Sequence, residues 1–454
     1  MSYSKFKLKE SNKIFYYRNT DNSIHNDDGQ ILSLPPKEGW EFFEQAQQSN
    51  NFGVTHKTNK PTALRILLGH ACNYSCGYCM QKDIGNPDER PENFWLEPFI
   101  ESINKHLDLE NLERIELWGG EPFLYWNDMV PIMKLLDHPK RHFFISTNGS
   151  PLRQKHVDFF KTLQADILIG ISHDGPGQEE LRGEDIFKKQ SVCDSVKQLA
   201  DMWPKVRFSF NTVVSATNFD LIKINDYFKE VSDRLNIPKA QISFIPARIY
   251  DETDSVNSAK HVIKGDLLPL FKESVHHYIE QVIDGIKSGD KRFLMSNLVE
   301  NGTGVFKFAH SVKHQIPITM TSSCGADAAD ILSLDIRGNV RLCPHTHEKF
   351  TAGHIDNIKG VKIVGLTLER KNTHCYTCPV KRLCKSSCPI DFPTNVFLHN
   401  CRVEKIWYSA IQQQAFRLLF NEPVELLEVG IDEDRFKDNT GTQKQIREPH
   451  TINT

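Results

Sequence analysis

The sequence predicts an α/β protein, a partial (β/α)6 TIM-type barrel followed by a small cysteine-rich domain. Between residues 62 and 265, short apolar strands alternate with helical stretches, which is the pattern of repeated βα units. Seven cysteines then fall within residues 324–401. A chain of 454 residues is too long for one average domain and suits about two or three.

Six strands and the helices between them make up the predicted barrel. The strands are Leu64–Leu68, Arg114–Trp118, His142–Ser146, Ile167–Ser172, Arg207–Val213 and Gln241–Pro246. The helices are Trp95–His106, Met129–Asp137, Lys155–Thr162 and Phe187–Met202. Barrels of this kind carry function at the carboxyl ends of their strands, and the chemically suggestive stretches of this chain fall at those ends.

The predicted organisation has five segments. They are an N-terminal appendage (1–61), the barrel (62–265), a largely helical linker region (266–320), the cysteine-rich domain (321–405), and a C-terminal helix with a poorly ordered tail (406–454). The appendage contains a strand candidate at Lys13–Arg18 and a short helix candidate near Trp40–Phe43.

Charge and cysteine usage restrict the function classes. The net charge of −3 creates no field that favours nucleic acid or an anionic membrane, and no apolar run is long enough to span a bilayer. The polar start lacks the apolar core of a signal peptide, so we expect a cytoplasmic protein. Eleven cysteines in that reducing compartment do not indicate disulfides. Ten have ligand-like spacing, and Cys193 is expected to be an ordinary half-buried residue.

Cys72, Cys76 and Cys79 directly follow the first barrel strand. Soft thiolates suit iron–sulfur ligation, and three of them can hold three irons of a [4Fe–4S] cluster while the fourth iron stays open. Spacing alone also allows a zinc knuckle that lacks its fourth ligand, or three structural cysteines.

The triad resembles the signature of the radical S-adenosylmethionine (SAM) superfamily. The resemblance implies that the open iron chelates the amino and carboxylate groups of SAM. After the second strand, Gly119, Gly120, Glu121 and Pro122 resemble the motif that binds the methionine amino group in that superfamily. Two glycines let the backbone approach closely, and a carboxylate can accept from an ammonium group.

Further SAM contacts are implied at successive strand ends. In the superfamily, ribose or carboxylate contacts lie where this chain has Ser146, Thr147 and Asn148, and ribose contacts where it has Ser172 and Asp174. The same resemblance suggests ligand-carboxylate binding by Arg182 and an adenine side lined by Tyr78, Asn211 and Ile245. Each of these residues taken singly is equally well an ordinary polar or core residue.

The C-terminal cysteines resemble the seven-cysteine SPASM domain, which carries two auxiliary [4Fe–4S] clusters and so brings the expected total to three. The resemblance assigns Cys324, Cys343 and Cys388 to the first cluster, and Cys375, Cys378, Cys384 and Cys401 to the second. Seven thiolates cannot fill eight ligand positions. Asp330 stands near the position of the missing cysteine, so it either ligates iron or leaves that iron open, and we favour the open iron. Structural zinc built with nearby histidines such as His345 and His354 is the alternative.

The resemblance implies reductive cleavage of SAM to a 5′-deoxyadenosyl radical that abstracts a hydrogen atom from a ribosomally made peptide. A crosslink, an oxidation or a backbone excision would follow. Pro344 stands where sulfatase-maturing relatives have a catalytic aspartate, which argues against formylglycine formation by that route. The sequence identifies no catalytic base.

The expected partners are the precursor peptide, a separate leader-recognition protein, and a flavodoxin- or ferredoxin-type electron donor. A small-molecule dehydrogenase acting on a sugar, aminocyclitol or alcohol is an alternative of a different class, as are sulfatase-maturase-like protein oxidation and a non-enzymatic zinc scaffold.

Overall fold

The computed structural model describes most of the barrel and parts of the flanking regions. The described residues are 2–19, 22–32, 54–79, 81, 95–237, 242–248, 260–288, 304–316, 325–345, 351–364, 378–385 and 394–431. Three predicted cluster ligands, Cys324, Cys375 and Cys388, lie outside these residues, as does the helix candidate near Trp40–Phe43.

Fifteen strands are described. In chain order they are β1 (Ser2–Leu8), β2 (Ile14–Arg18), β3 (Ser23–Asn26), β4 (Val54–His56), β5 (Ala63–Leu67), β6 (Arg114–Trp118), β7 (His142–Thr147), β8 (Asp166–Ser172), β9 (Val206–Val214), β10 (Ile242–Arg248), β11 (Ile331–Asp335), β12 (Asn339–Arg341), β13 (Thr351–His354), β14 (Lys362–Val364) and β15 (Val424–Ile431).

The α-helices of the described residues lie mostly between barrel strands or pack behind them. They are α1 (Leu96–His106), α2 (Trp126–Leu136), α3 (Gln154–Thr162), α4 (Gln178–Arg182), α5 (Gln190–Ala200), α6 (Leu221–Arg234), α7 (Leu267–Lys287), α8 (Val305–Lys313), α9 (Lys381–Cys384) and α10 (Thr394–Phe420). In the part of the chain described, no helix combines the length and the apolar character needed to cross a membrane.

Strands β5 to β10 pair in parallel and in sequence order, so the predicted α/β partial barrel is confirmed. Along β8, Ile167, Ile169 and Ile171 are fully buried because alternate side chains of a strand face the same side, here toward the helices. The amphipathic α5 buries Val192, Val196 and Leu199 in this core. Cys193 is buried on the same helix, and its thiol donates to the Phe187 carbonyl at 3.3 Å.

The barrel sheet continues into the cysteine-rich segment. Strand β11 pairs in parallel with β5, with Ile331 opposite Ala63, and β12 and β13 follow in antiparallel order. The loop before β11 is fastened by the buried Lys57, whose ammonium donates to the carbonyls of Ala326 (3.1 Å), Ala328 (2.5 Å) and Ile331 (2.7 Å). The first strand of the cysteine-rich region is therefore built directly on the edge of the barrel.

The two ends of the described chain form one sheet. Its strand order is β15-β1-β2-β3, and β1 lies antiparallel to β15. The sheet packs on α10, where the Phe416 ring lies 4.7 Å from the ring of Phe6 and 5.2 Å from that of Phe15, measured between centroids. Of these strands the sequence predicted only β2. Strand β15 lies in the C-terminal segment, for which a helix and a tail were predicted.

Phe416→Ala is expected to lower the free energy of unfolding by about 3–5 kcal/mol, because truncating a buried phenylalanine removes apolar contacts and leaves a cavity. Phe416 is fully buried and also touches Tyr17 and Phe308, so four aromatic rings lose this partner together. Urea unfolding followed by circular dichroism measures the change. Leu270→Ala is the control, because Leu270 is 50% exposed and its truncation is expected to change stability by no more than about 0.5 kcal/mol. Equal losses in the two variants would contradict the packing described here.

Candidate functional site

The three-cysteine loop leaves β5 and crosses the carboxyl end of the barrel. Cys76 is buried, Cys72 is half-buried and Cys79 is exposed. The start of the loop is tied to the segment that follows β6. Gly120 N donates to Gly69 O at 2.9 Å, and Glu121 N donates to Ala71 O at 2.9 Å.

The approach of these two segments requires glycine at position 120. A Cβ atom there would lie 2.4 Å from the His70 carbonyl oxygen and 2.5 Å from that of Ala71. Both obstacles are backbone atoms, so no rotamer change can relieve the collision. The hydroxyl of Tyr125 strengthens the contact by accepting from Ala71 N at 2.6 Å. The cysteine loop is therefore positioned by backbone contact with the loop that follows β6.

Glu121 connects this loop to the end of β7. Its buried carboxylate accepts from the Thr147 hydroxyl (2.7 Å), Asn148 N (2.7 Å) and Phe123 N (3.1 Å). Burial raises the pKa of Glu121 to about 7, although these hydrogen bonds favour the ionised form. Pro122 begins the 3₁₀ turn that Glu121 caps. Glu121 and Thr147 thus hold the framework of the site together in this structure.

Polar donors approach two of the three sulfurs. Asn148 Nδ2 lies 3.9 Å from Cys72 Sγ, and the backbone N–H of Tyr74 donates to the same sulfur at 3.4 Å. Arg182 Nη1 lies 3.9 Å from Cys76 Sγ. Burial raises the pKa of Cys72, and it raises that of Cys76 to about 11. The buried thiols therefore hold their protons until a metal displaces them, and the nearby donors suit the thiolates that would result.

Arg182 forms a buried ion pair beside the loop. Its Nε donates to Asp174 Oδ2 at 2.8 Å and its Nη2 to Asp174 Oδ1 at 3.3 Å. The Tyr78 hydroxyl donates to the same carboxylate, and the guanidinium lies 5.4 Å from the Tyr78 ring centroid. Burial alone would lower the pKa of Arg182, but the Asp174 carboxylate raises it. Tyr78, Asp174 and Arg182, which the sequence predicted separately, form one cluster.

Four other predicted residues lie along the strand ends. Ser146 stands opposite Gly170 in register, Ser172 opposite Asn211, and Asn211 opposite Ile245. The side chains of Ser146, Ser172 and Asn211 are half-buried. Alternation along the strands places these three on the sheet face opposite the isoleucine core of β8.

A buried network behind the site had no counterpart in the sequence analysis. His173 Nε2 lies 3.1 Å from Asp185 Oδ1, and the Tyr227 hydroxyl donates to Asp185 Oδ2 at 2.7 Å. Burial alone would raise the pKa of Asp185, but hydrogen bonds from His173 and Tyr227 hold it at about 2. His173 directly precedes Asp174, so this network fixes the turn that carries the Asp174 carboxylate.

The barrel interior holds a second polar group that the sequence did not indicate. Arg65 Nε and Trp118 Nε1 each lie 3.1 Å from Glu116 Oε2. The ring of His345 packs edge-on against Trp118, with 4.8 Å between centroids. Burial, with the charges of His70 and Arg65, lowers the pKa of His345 to about 4. Through this contact His345, which closely follows Cys343 in the sequence, packs against the barrel strands.

Four C-terminal cysteines fall within the described residues. Cys384 is buried, and Cys343, Cys378 and Cys401 are half-buried. The Asp330 carboxylate accepts at 2.6 Å from the hydroxyl of Thr62, the residue just before β5. Across the described ranges, no three His, Cys, Asp or Glu side chains are grouped so as to hold a single metal ion.

Comparison with known proteins assigns the barrel to a family. Residues 66–214 match the model of the radical SAM superfamily. TigE of Paramaledivibacter caminithermalis, a radical SAM cyclopropyl synthase, is 24% identical over 362 residues, which cover 72% of this chain and 67% of TigE. AlbA of Bacillus subtilis, an antilisterial bacteriocin subtilosin biosynthesis protein, is 26% identical over 179 residues, or 38% of this chain and 37% of AlbA.

A solved structure confirms the fold. Native anSMEcpe with bound AdoMet and Cp18Cys peptide superposes with a TM-score of 0.55 at 17% identity, covering 79% of this chain and 99% of that one. The barrel is thus a radical SAM domain. Members of the superfamily that carry this domain are enzymes, and the domain implies SAM and a [4Fe–4S] cluster.

The titration of Glu121 yields a test of the site's framework. The pKa of Glu121 is about 7 in the folded protein, above the ordinary 4.5 of the unfolded chain, so protonation of this carboxyl stabilises the fold. The full contribution is present below pH 4.5 and is lost as the pH rises to about 7. Relative to Glu121→Gln, which cannot ionise, the wild type is expected to lose ~2–3 kcal/mol of stability between pH 5 and pH 8. Urea unfolding of both metal-free proteins at the two pH values measures this difference. A difference that does not change with pH would contradict the buried placement of this carboxyl.

Proposed function

We propose that the protein is a radical SAM enzyme that modifies a ribosomally made peptide. The observation that carries the catalytic part is the cysteine loop fastened by backbone contact at the carboxyl end of six parallel strands. The peptide substrate is supported by the relatives. AlbA takes part in bacteriocin biosynthesis, and anSMEcpe was solved with a bound peptide.

The residues present fit the implied cofactors. Cys72, Cys76 and Cys79 would hold a [4Fe–4S] cluster, because their loop presents three thiols with nearby nitrogen donors and no fourth protein ligand was predicted. When bound, the cluster and SAM supply reductive cleavage of the sulfonium and a 5′-deoxyadenosyl radical that takes a hydrogen atom from the substrate.

The chain's own residues bind and orient SAM in this proposal. The backbone of Gly119 and Gly120 offers its polar groups to the amino group, while Arg182, held by Asp174, presents a fixed cation to the carboxylate. Pairing with Asp174 keeps the guanidinium rigid, so little conformational entropy is lost when SAM binds. Glu121 and Thr147 support the site by tying the two loops together rather than by touching SAM.

The remaining predicted contacts lie along the sugar and base of SAM. Ser146, Asn148 and Ser172 would serve the ribose side, and Asn211 and Ile245 the adenine side. Their order along neighbouring strand ends supports this arrangement. Burial raises the pKa of Tyr78, so its hydroxyl stays neutral and its ring is available to the adenine.

We further propose that the C-terminal cysteines hold two auxiliary [4Fe–4S] clusters, with Cys324, Cys343 and Cys388 on the first. The hydrogen bond from Thr62 engages the Asp330 carboxylate and supports an open iron there instead of ligation by Asp330. The clusters would accept the electron released when the substrate radical is oxidised. A flavodoxin- or ferredoxin-type protein would supply the electron that cleaves SAM, and a separate small protein would recognise the precursor's leader.

Cys76→Ala is expected to abolish 5′-deoxyadenosine formation from SAM and dithionite, because a thiol of the barrel cluster is lost. Iron content is expected to fall by about four from about twelve atoms per chain. Anaerobic reconstitution, iron and sulfide counting and chromatography of the nucleoside products measure both effects. Cys193→Ala is the matched control, since its thiol lies in the core and donates to the Phe187 carbonyl. A Cys76→Ala protein that still forms 5′-deoxyadenosine would overturn the proposal.

The substrate class is tested by co-expression of the protein with candidate precursor peptides from its own genome. A mass change in one peptide is expected with the wild type and not with Cys76→Ala, because the modification requires the radical. Addition of the predicted leader-recognition protein is expected to tighten binding of that peptide. Sugar or aminocyclitol turnover without any peptide change would favour the small-molecule alternative instead.

A further inference from the structure

A buried histidine that the proposed mechanism has not used lies against the cysteine loop. The His261 side chain is only 7% exposed, and its ring meets the Tyr78 ring edge-on at 6.1 Å between centroids. Its Nε2 faces Gly77, where an added Cβ would lie only 2.7 Å away. The backbone is fixed as well, because Ala216 N donates to His261 O at 2.8 Å just beyond β9. The ring therefore fills the space beside Gly77 at the carboxyl end of the barrel.

Both ring nitrogens of His261 lack a hydrogen-bond partner among the residues that the structure describes. Such groups are rare in a folded protein, because burying an unpaired polar atom costs about 1–3 kcal/mol. Burial and the neighbouring Lys260 lower the pKa of His261, so the ring is neutral and offers one N–H donor and one acceptor nitrogen. Two unused hydrogen-bonding atoms at this position point to a ligand.

The surroundings indicate which part of a ligand His261 meets. The charges of Lys260 and Glu180 act on the His261 ring. Asp174 and Arg182, beside Tyr78, bind each other, and Tyr78 donates its hydroxyl to Asp174. The Tyr78 ring beside His261 offers an aromatic surface, and purine edges carry both acceptor nitrogens and a donor amino group. A neutral imidazole complements such an edge with both ring nitrogens, whereas a carboxylate would use only its N–H donor and a sulfonium only its acceptor nitrogen.

We propose that His261 hydrogen-bonds the adenine of SAM and so selects the base that is bound beside Tyr78. This inference rests on the proposed function, because it assumes that SAM occupies the site. Gly77 is required by the same arrangement, since any side chain there would displace the imidazole. His261 is a SAM-contacting residue on this view, and it also supports the loop that carries Cys76.

The test compares SAM with two base-modified analogues on the reconstituted, full-length protein. The 7-deazaadenine analogue removes one acceptor nitrogen, and the hypoxanthine analogue replaces the amino group with a carbonyl. His261→Phe keeps the ring but removes both hydrogen-bonding atoms, and it is expected to weaken SAM binding about tenfold, measured by anaerobic equilibrium dialysis. For one of the two analogues the wild type and His261→Phe are expected to bind alike, because the lost partner is then absent on both sides.

Two variants serve as controls. His261→Gln retains a donor and an acceptor and is expected to recover most of the affinity for SAM. His276→Phe changes a half-buried histidine on α7 and is expected to leave SAM binding unchanged. Iron content is expected to be the same in all variants.

Two results would overturn the inference about His261 but leave the proposed function standing. They are wild-type SAM affinity in His261→Phe, and an equal loss for SAM and both analogues, which would assign His261 to loop packing. A wild-type protein with full iron content that fails to bind SAM, with no change in the electron paramagnetic resonance signal of its reduced cluster, would overturn the proposed function as well.

Discussion

The arrangement of the site depends on the contact between two backbones, the one at Gly120 and the one at His70–Ala71. The oxygens of His70 and Ala71 occupy the space of any Cβ at position 120, and hydrogen bonds on both sides hold the segments in register. The cysteine loop carries few apolar side chains of its own, so it relies on this neighbour for its shape. Glu121 extends the same connection to β7, and through Asn148 back to the sulfur of Cys72.

Inside the barrel, two buried carboxylates are paired with arginines and other hydrogen-bond donors. Asp174 is fully buried, yet it accepts from Arg182, from Tyr78 and from Val213 N at 2.8 Å. Glu116 is satisfied by Arg65 and Trp118 in a similar way. Buried carboxylates are tolerated only when their partners supply what water would have given. These pairs therefore give the barrel a polar interior without a large cost in stability, and they keep the groups rigid for a polar ligand.

Sequence reasoning located those parts of the fold that are contiguous in the chain. The Cys72–Cys79 loop and the Gly119–Pro122 loop were found in this way, and so were the six parallel strands, because each strand is a short apolar run. It failed where distant segments meet. Tyr227 and Asp185 lie 42 residues apart, His345 reaches Trp118 from another region, and no local pattern marks either contact. The parallel pairing of β11 with β5 was missed for the same reason, since parallel strands are joined by long connections.

The pairing of β1 with β15 has a consequence for the order of events during synthesis. Ser2 lies opposite Ile431, so β1, which pairs with β2 along one edge, has no partner along its other edge until residues 424–431 have been made. At ribosomal rates this interval is roughly 20–80 s. Every cysteine of the two predicted ligand sets lies between these strands, and all ten have been translated before the terminal sheet can close. Closure of the sheet between β1 and β15 can thus follow iron loading, because this edge of β1 stays unpaired until β15 emerges.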